Sequence, residues 1–390
     1  MAACCRLLAA RYRSLVTRCR LLVICLAMAC LAAAVSGCAA SSVKTPPVPA
    51  SYGSRPVVVV LPVQNLSRTD APLKGIRQSF EDRLRKLGLR VVPEDVVEQV
   101  MARHRMRDVG GLNAEMSLAF SKEAGAGAVL ITSLELYDPT YPPKLALTAR
   151  LVAAGSDEPE ILWMDSTGVS GDDKPGLLDL GIVRDPGRLL EKAVGYLAGS
   201  LDDALSGRWT KGNGVLMAGR FKPNRFFRSP LLDPGRRYTV VVAPFYNVSH
   251  RSEAGNIMML HFVEELCRHR RHFRVIEPGL IRHEFLNERI IMNDGISFAN
   301  ADALFSQLRA DLIVTGKVLD YQDYKGPDGN PSVDFDTIAI EDNSHEVVWS
   351  SSDSATGKKG VYFFDRGRIS TAHRMASAMA RSVVELMIKG

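Results

Sequence analysis

No apolar run in this 390-residue chain is long enough to cross a bilayer as a helix. The longest, Leu21 to Val35, has about 15 residues where a span needs roughly 20. Catalytic signatures are missing as well. There is no glycine-rich phosphate loop, no Gly-x-Ser-x-Gly elbow and no His-Glu-x-x-His helix, so nucleotide, serine-hydrolase and zinc-protease chemistry have no residues in register to carry them. Past residue 38 the sole cysteine is Cys267, which excludes an intramolecular disulfide there even in an oxidising compartment. The expectation is a protein that is not an enzyme and holds neither cofactor nor metal.

What is present begins at the N-terminus. Arg6, Arg11, Arg13, Arg18 and Arg20 stand without an acid, the apolar run follows, and Ser36-Gly37-Cys38 ends it. That order is a signal peptide over residues 1–37. The tetrapeptide Val35-Ser36-Gly37-Cys38 resembles the lipobox of bacterial lipoproteins. The resemblance implies that Cys38 becomes the N-terminus and carries the lipid, palmitate included, that anchors the chain to a membrane. Ala39 and Ala40 stand where the sorting pattern would place an aspartate for inner-membrane retention, which points to the outer membrane, facing the periplasm. The formal charge of +6 includes the five signal arginines. Without them the chain is near neutral, and a nucleic-acid partner loses its electrostatic support.

Residues 38–54 read as a flexible tether. Beyond them the chain repeats itself. Val57 to Ser67 recurs as Val240 to Ser249, with Pro62, Asn65 and Ser67 matching Pro244, Asn247 and Ser249. Ile76, Phe80 and Leu84 then match Met258, Phe262 and Leu266, and Trp163 matches Trp349. The offset grows slowly, as small loop insertions would make it. Two copies of one domain follow, at residues 55–205 and 238–390.

Each copy has the same grammar. A β-branched run suits a buried strand, and Pro, Asn and Ser then turn the chain. Leu73, Ile76, Phe80, Leu84 and Leu87 lie at helical spacing. A short strand, two further helices, a central strand at Ala128 to Tyr137 or Asp311 to Tyr321, a strand holding the tryptophan, and a closing helix complete the copy. Strands alternating with helices predict an α/β sandwich.

Residues 206–237 differ in character, a basic and aromatic linker. Arg208, Trp209, Lys211, Arg220, Phe221, Arg225, Phe226, Phe227 and Arg228 fall in it, a composition suited to a partner or membrane surface, or to packing on the neighbouring copies. Cys267, His269 and His272 read as a solvated basic helix end rather than a zinc site, because Cys-x-His spacing on a helix points the first two side chains to different faces. The adjacent acids Glu264 and Glu265, and Asp202 and Asp203, read as surface pairs.

Phe273 to Ile291, Ala310 to Gly316 and Val347 to Ser351 together resemble the core of the CsgG-like lipoproteins, a group with the curli secretion channel, lipoprotein activators of penicillin-binding proteins and the N-terminal domain of TolB. The resemblance spans most of residues 238–388 and is weaker over 56–205. It implies two tandem three-layer α/β sandwich domains of the CsgG / TolB N-terminal type, working by contact and assembly. The segments matching the curli channel's membrane hairpins, Gln322 to Asp334 and Ser350 to Arg366, are too short and polar for membrane strands of about 9–11 alternating residues. The expected function is a periplasm-facing adaptor or regulator of an envelope assembly or secretion machine, with a protein partner. The alternative is a homo-oligomeric, ring-forming subunit of an outer-membrane secretion complex.

Overall fold

The computed structural model describes residues 55–173, 181–208, 220–290, 296, 298–324, 326, 329–359 and 368–389. Copy 1 runs β1 (Val57–Val60), β2 (Gln64–Asn65), α1 (Leu73–Lys86), β3 (Arg90–Val91), α2 (Glu94–Arg103), α3 (Ala114–Ala124), β4 (Ala128–Asp138), β5 (Lys144–Ala153), β6 (Ile161–Ser170) and α4 (Pro186–Leu205). Next comes β7 (Arg225–Arg228). Copy 2 then repeats the order: β8 (Tyr238–Val242), β9 (Tyr246–Asn247), α5 (Ala254–Arg268), β10 (Phe273–Val275), α6 (Pro278–Asn287), α7 (Phe298–Leu308), β11 (Leu312–Gln322), β12 (Ser332–Glu341), β13 (Val347–Thr356) and α8 (Ala372–Ile388). The fold is α/β with two sheets.

Local chemistry accounts for the shared grammar. Asn65 Oδ1 accepts from the Ser67 amide at 3.1 Å and hydroxyl at 2.7 Å, and Asn247 does the same for Ser249. These are the side-chain turns that asparagine and serine make in place of backbone pairing. The capping chemistry is equally plain. Asn113 caps α3 by accepting from the Met116 amide, and Gly125 ends it at φ 62°, a left-handed conformation that glycine adopts without strain. Asp185 caps α4 ahead of Pro186, and Thr371 caps α8.

The first sheet has the order β3-β1-β4-β5-β6 and the second β10-β8-β11-β12-β13-β7. In each, the first three strands are parallel and the rest antiparallel. The middle antiparallel strands, β5 and β12, are absent from the sequence reading, as is β7. The connector between copies therefore supplies a strand, pairing Arg225–Arg228 with Ser352–Trp349 at the edge of the second sheet.

Each sheet carries helices on both faces. α1 and α4 cover one face of the first sheet through Ile76, Phe80, Leu84, Leu189, Ala193 and Leu197, all buried. Each of these leucine, isoleucine and phenylalanine side chains contributes about 1.5–3 kcal/mol of burial. α5 and α8, the equivalents of α1 and α4, cover the matching face of the second sheet, where Phe245, Phe262 and Phe335 pack together. Their opposite side lies against β6 of copy 1. The two copies thus stack head to tail as one contact unit. The contact is heterologous, since copy 1 offers its sheet face and copy 2 its helices.

Candidate functional site: a buried polar seam between the copies

The seam is built from alternation. Along β5, Leu145, Leu147, Ala149 and Leu151 point at α1 and α4, so Thr148 and Arg150 point the other way, at copy 2. Arg150 is 1% exposed and Glu277 0%. The guanidinium donates to Glu277 Oε1 at 2.8 and 3.1 Å and to the Gly110 carbonyl at 2.6 Å. The second carboxylate oxygen, Oε2, accepts from the amides of Leu112 and Gly279. Two backbones touch beside it, for a Cβ on Gly111 would lie 2.5 Å from Gly279 Cα. Glycine is required at that crossing.

A second group sits under α5 and α8. Arg268 bonds Asp165 at 2.7 Å and also Glu264, while Arg381 bonds Glu265 at 2.9 Å. Both glutamates are 1% exposed and Arg268 is 7%, so the expectation of a surface acid pair and a solvated helix end is corrected. The helix is not a free end here, because copy 1 covers it. Cys267 is buried too, and burial pushes its thiol up to about 11. With three carboxylates around two guanidinium groups, burial and the neighbouring Asp165 and Glu265 lift Glu264 to about 7.

The third group is the chemically richest. β4 carries a bulge between Leu134 and Leu136, and the extra residue, Glu135, is aimed at copy 2. Its Oε2 lies 2.5 Å from His373 Nδ1 on α8 and 3.9 Å from His261 Nε2 on α5. Thr148 donates to the other oxygen, and His373 Nε2 lies 3.2 Å from Ser166 Oγ. All three are at most 2% exposed. Burial raises the Glu135 carboxyl, but His373 overcomes it and holds the group down at about 2. Burial likewise lowers His373, and Glu135 reverses that, leaving it raised. Burial takes His261 down to about 4. Neither ring nitrogen of His261 has a hydrogen-bond partner, an arrangement that costs about 1–3 kcal/mol per unmet group.

Ser166, His373 and Glu135 share the connectivity of a nucleophile, base and orienting acid. The electrostatics oppose that use. With its affinity for a proton raised by Glu135, His373 favours keeping its proton over taking one from Ser166. Two imidazoles and a carboxylate within 4.8 Å of one another are also the donor set of a transition-metal site.

The residues singled out in the connector are placed as follows. Arg208 is exposed and reaches Asp202 and Asp203 at 3.5 and 3.4 Å. Cys38, Trp209 and Lys211 lie outside the described residues. Arg220 donates to the Lys359 carbonyl. Phe221 is 1% exposed and belongs to the core, a correction to its place among surface candidates. The structure brings Arg225, Phe226, Phe227 and Arg228 together on β7. Both phenylalanines are 54% exposed, Phe226 stacks on Trp349 at 5.4 Å, and Arg228 donates to the Met387 carbonyl.

No protein-family model matches the chain, and no curated protein does. Among solved structures, the PelC dodecamer from Paraburkholderia phytofirmans is 19% identical with a TM-score of 0.30, covering 42% of this chain and 94% of its own. Lipoprotein GNA1162 from Neisseria meningitidis is 23% identical with a TM-score of 0.28, covering 37% and 98%. The LpoB C-terminal domain from Salmonella enterica is 18% identical with a TM-score of 0.25, covering 30% and 85%. Likeness at this level carries no argument about what this chain does.

Proposed function

We propose that this is a non-catalytic lipoprotein of the bacterial envelope, tethered through Cys38 to the outer membrane, that binds a protein partner as an adaptor of an assembly or secretion machine. The observation that carries the binding reading is β7. It pairs only with β13 among the described residues, so its outer edge presents unpaired backbone donors and acceptors. That edge bears Phe226 and Phe227, each 54% exposed, beside exposed Arg225. Aromatic and arginine side chains on a free strand suit an extended segment of a partner, added by backbone pairing and fixed by the rings. The lipobox resemblance supports the anchor, since two or three acyl chains at roughly 0.8 kcal/mol per buried methylene hold a protein where one is marginal.

Photo-crosslinking from position 227 in cells tests the partner, with Phe226→Ala expected to abolish the product. An adduct made only of this chain would sink the adaptor reading. Cys38→Ala is expected to move the protein from the membrane to the soluble envelope fraction.

The head-to-tail stacking favours a second reading, the ring. α1 and α4 face outward with Lys74, Lys86, Arg188 and Lys192 exposed, and β11 and β12 offer Asp320, Asp334 and Asp336 on the face away from α5 and α8. Repeating the internal contact between chains would set these opposite charges together. Light scattering on a sizing column separates the readings: a discrete large oligomer supports the ring, a concentration-independent monomer removes it.

A further inference from the structure

We propose that Glu135, His261 and His373 form a site for one divalent transition-metal ion, zinc by its ligand chemistry, that clips the two copies together. Zinc takes imidazole nitrogen and carboxylate oxygen at about 2.0–2.2 Å in a tetrahedron, which sets neighbouring ligand atoms roughly 3.2–3.6 Å apart. The ligand atoms here lie within 4.8 Å of one another, with Glu135 at 2.5 Å from His373 and 3.9 Å from His261. Opening the first contact and closing the second by under about an ångström makes the site. His261 is the deciding residue. It is 1% exposed, faces the carboxylate, and leaves both ring nitrogens without a hydrogen bond. A metal ion beside Glu135 would engage a ring nitrogen that no neighbouring side chain meets.

The surroundings match. Thr148 bonds the outer oxygen of Glu135, and Ser166 bonds the outer nitrogen of His373. Outer-sphere hydrogen bonds of this kind hold metal ligands in orientation. The ligands come from β4 of copy 1 and from α5 and α8 of copy 2, so the ion would bind only the stacked arrangement. The other copy cannot make a second site. The positions equivalent to Glu135, His261 and His373 hold Leu319, Ser79 and Gly187. One ion per chain is therefore expected.

The test uses the full-length protein extracted in detergent and dialysed against a chelator, then titrated with zinc against a competing chromophoric ligand. The expected result is one zinc per chain, bound at least ~100-fold more weakly by His261→Gln or His373→Gln and about tenfold more weakly by Thr148→Val. Cobalt in place of zinc should give the visible absorption of a cobalt ion held by imidazole and carboxylate, which needs no variant to fold. Absence of stoichiometric zinc binding, or binding untouched in His261→Gln, overturns the proposal and leaves Glu135 and His373 as an ion pair.

Discussion

The two sheets present the same face to different surroundings. In copy 1 the face of β5 and β6 lies under α5 and α8, while in copy 2 only the Ile338–Ile340 end of the counterpart packs on α6 and α7 and the rest has no helix over it among the described residues. Position by position the residues diverge. Glu135, Thr148 and Arg150 answer to Leu319, Asp336 and Ile338, and the bulge that holds Glu135 recurs at Leu319. The covered face carries buried charges, each with a specific partner on the other copy. The uncovered face carries half-buried aspartates and a 39% exposed leucine. Buried ion pairs add little net stability but penalise any other docking geometry. The seam therefore specifies how the copies stack more than it glues them.

Breaking one partner of the seam gives the largest expected effect. Arg150→Ala strands Glu277 and should cost about 3–5 kcal/mol, whereas Ile338→Ala at the matching position, half-buried against apolar side chains of α6 and α7, should cost about 1–2 kcal/mol; urea denaturation of both variants measures the contrast. Gly111→Ala drives a methyl into the Gly279 backbone and should cost about 1–3 kcal/mol, with hydrogen exchange accelerating at the Leu112 amide.

A third change sharpens the comparison through pH. Asp353 on β13 is 1% exposed with one oxygen unpartnered. Burial chiefly, aided by Asp336 and Asp334 on β12 and opposed by Ser351 and Lys359, lifts its carboxyl to about 7. A raised carboxyl contributes stability below its unfolded value, near 3.8, and loses it as pH rises through about 7. Asp353→Asn should therefore raise the melting temperature most at pH 8, less at pH 5, and bring no gain below the unfolded value near 3.8. The smallest effect belongs to Leu319→Glu, which copies Glu135 onto the exposed bulge and should shift stability by no more than about 0.5 kcal/mol.

Much of the fold was legible because period and punctuation agree in both copies. The helix over Leu73–Lys86 follows from its apolar spacing, and the asparagine turns from their residues. β12 was legible in principle, since Val333, Phe335, Thr337 and Ala339 alternate as its buried set. Aspartates between them and prolines before them mask the pattern. Thr148 and Arg150 similarly break the apolarity of β5, because their face is answered by another domain rather than by its own helices. The seam itself was illegible for the same reason. Glu135 and His373 lie 238 residues apart, and no local pattern joins them. The one available signal was His261, set between Leu260 and Phe262 on a helix buried nearly all round.

The connector strand has a consequence for the order of assembly. Arg225 pairs with Ser352, so a segment made before copy 2 completes its sheet only after nearly all of copy 2 has followed. A contact so distant along the chain closes late, once the intervening loop entropy has been spent. During folding the second sheet would wait with its β13 edge bare until the earlier strand swings across. The connector then works as a latch, fastening a domain that it preceded.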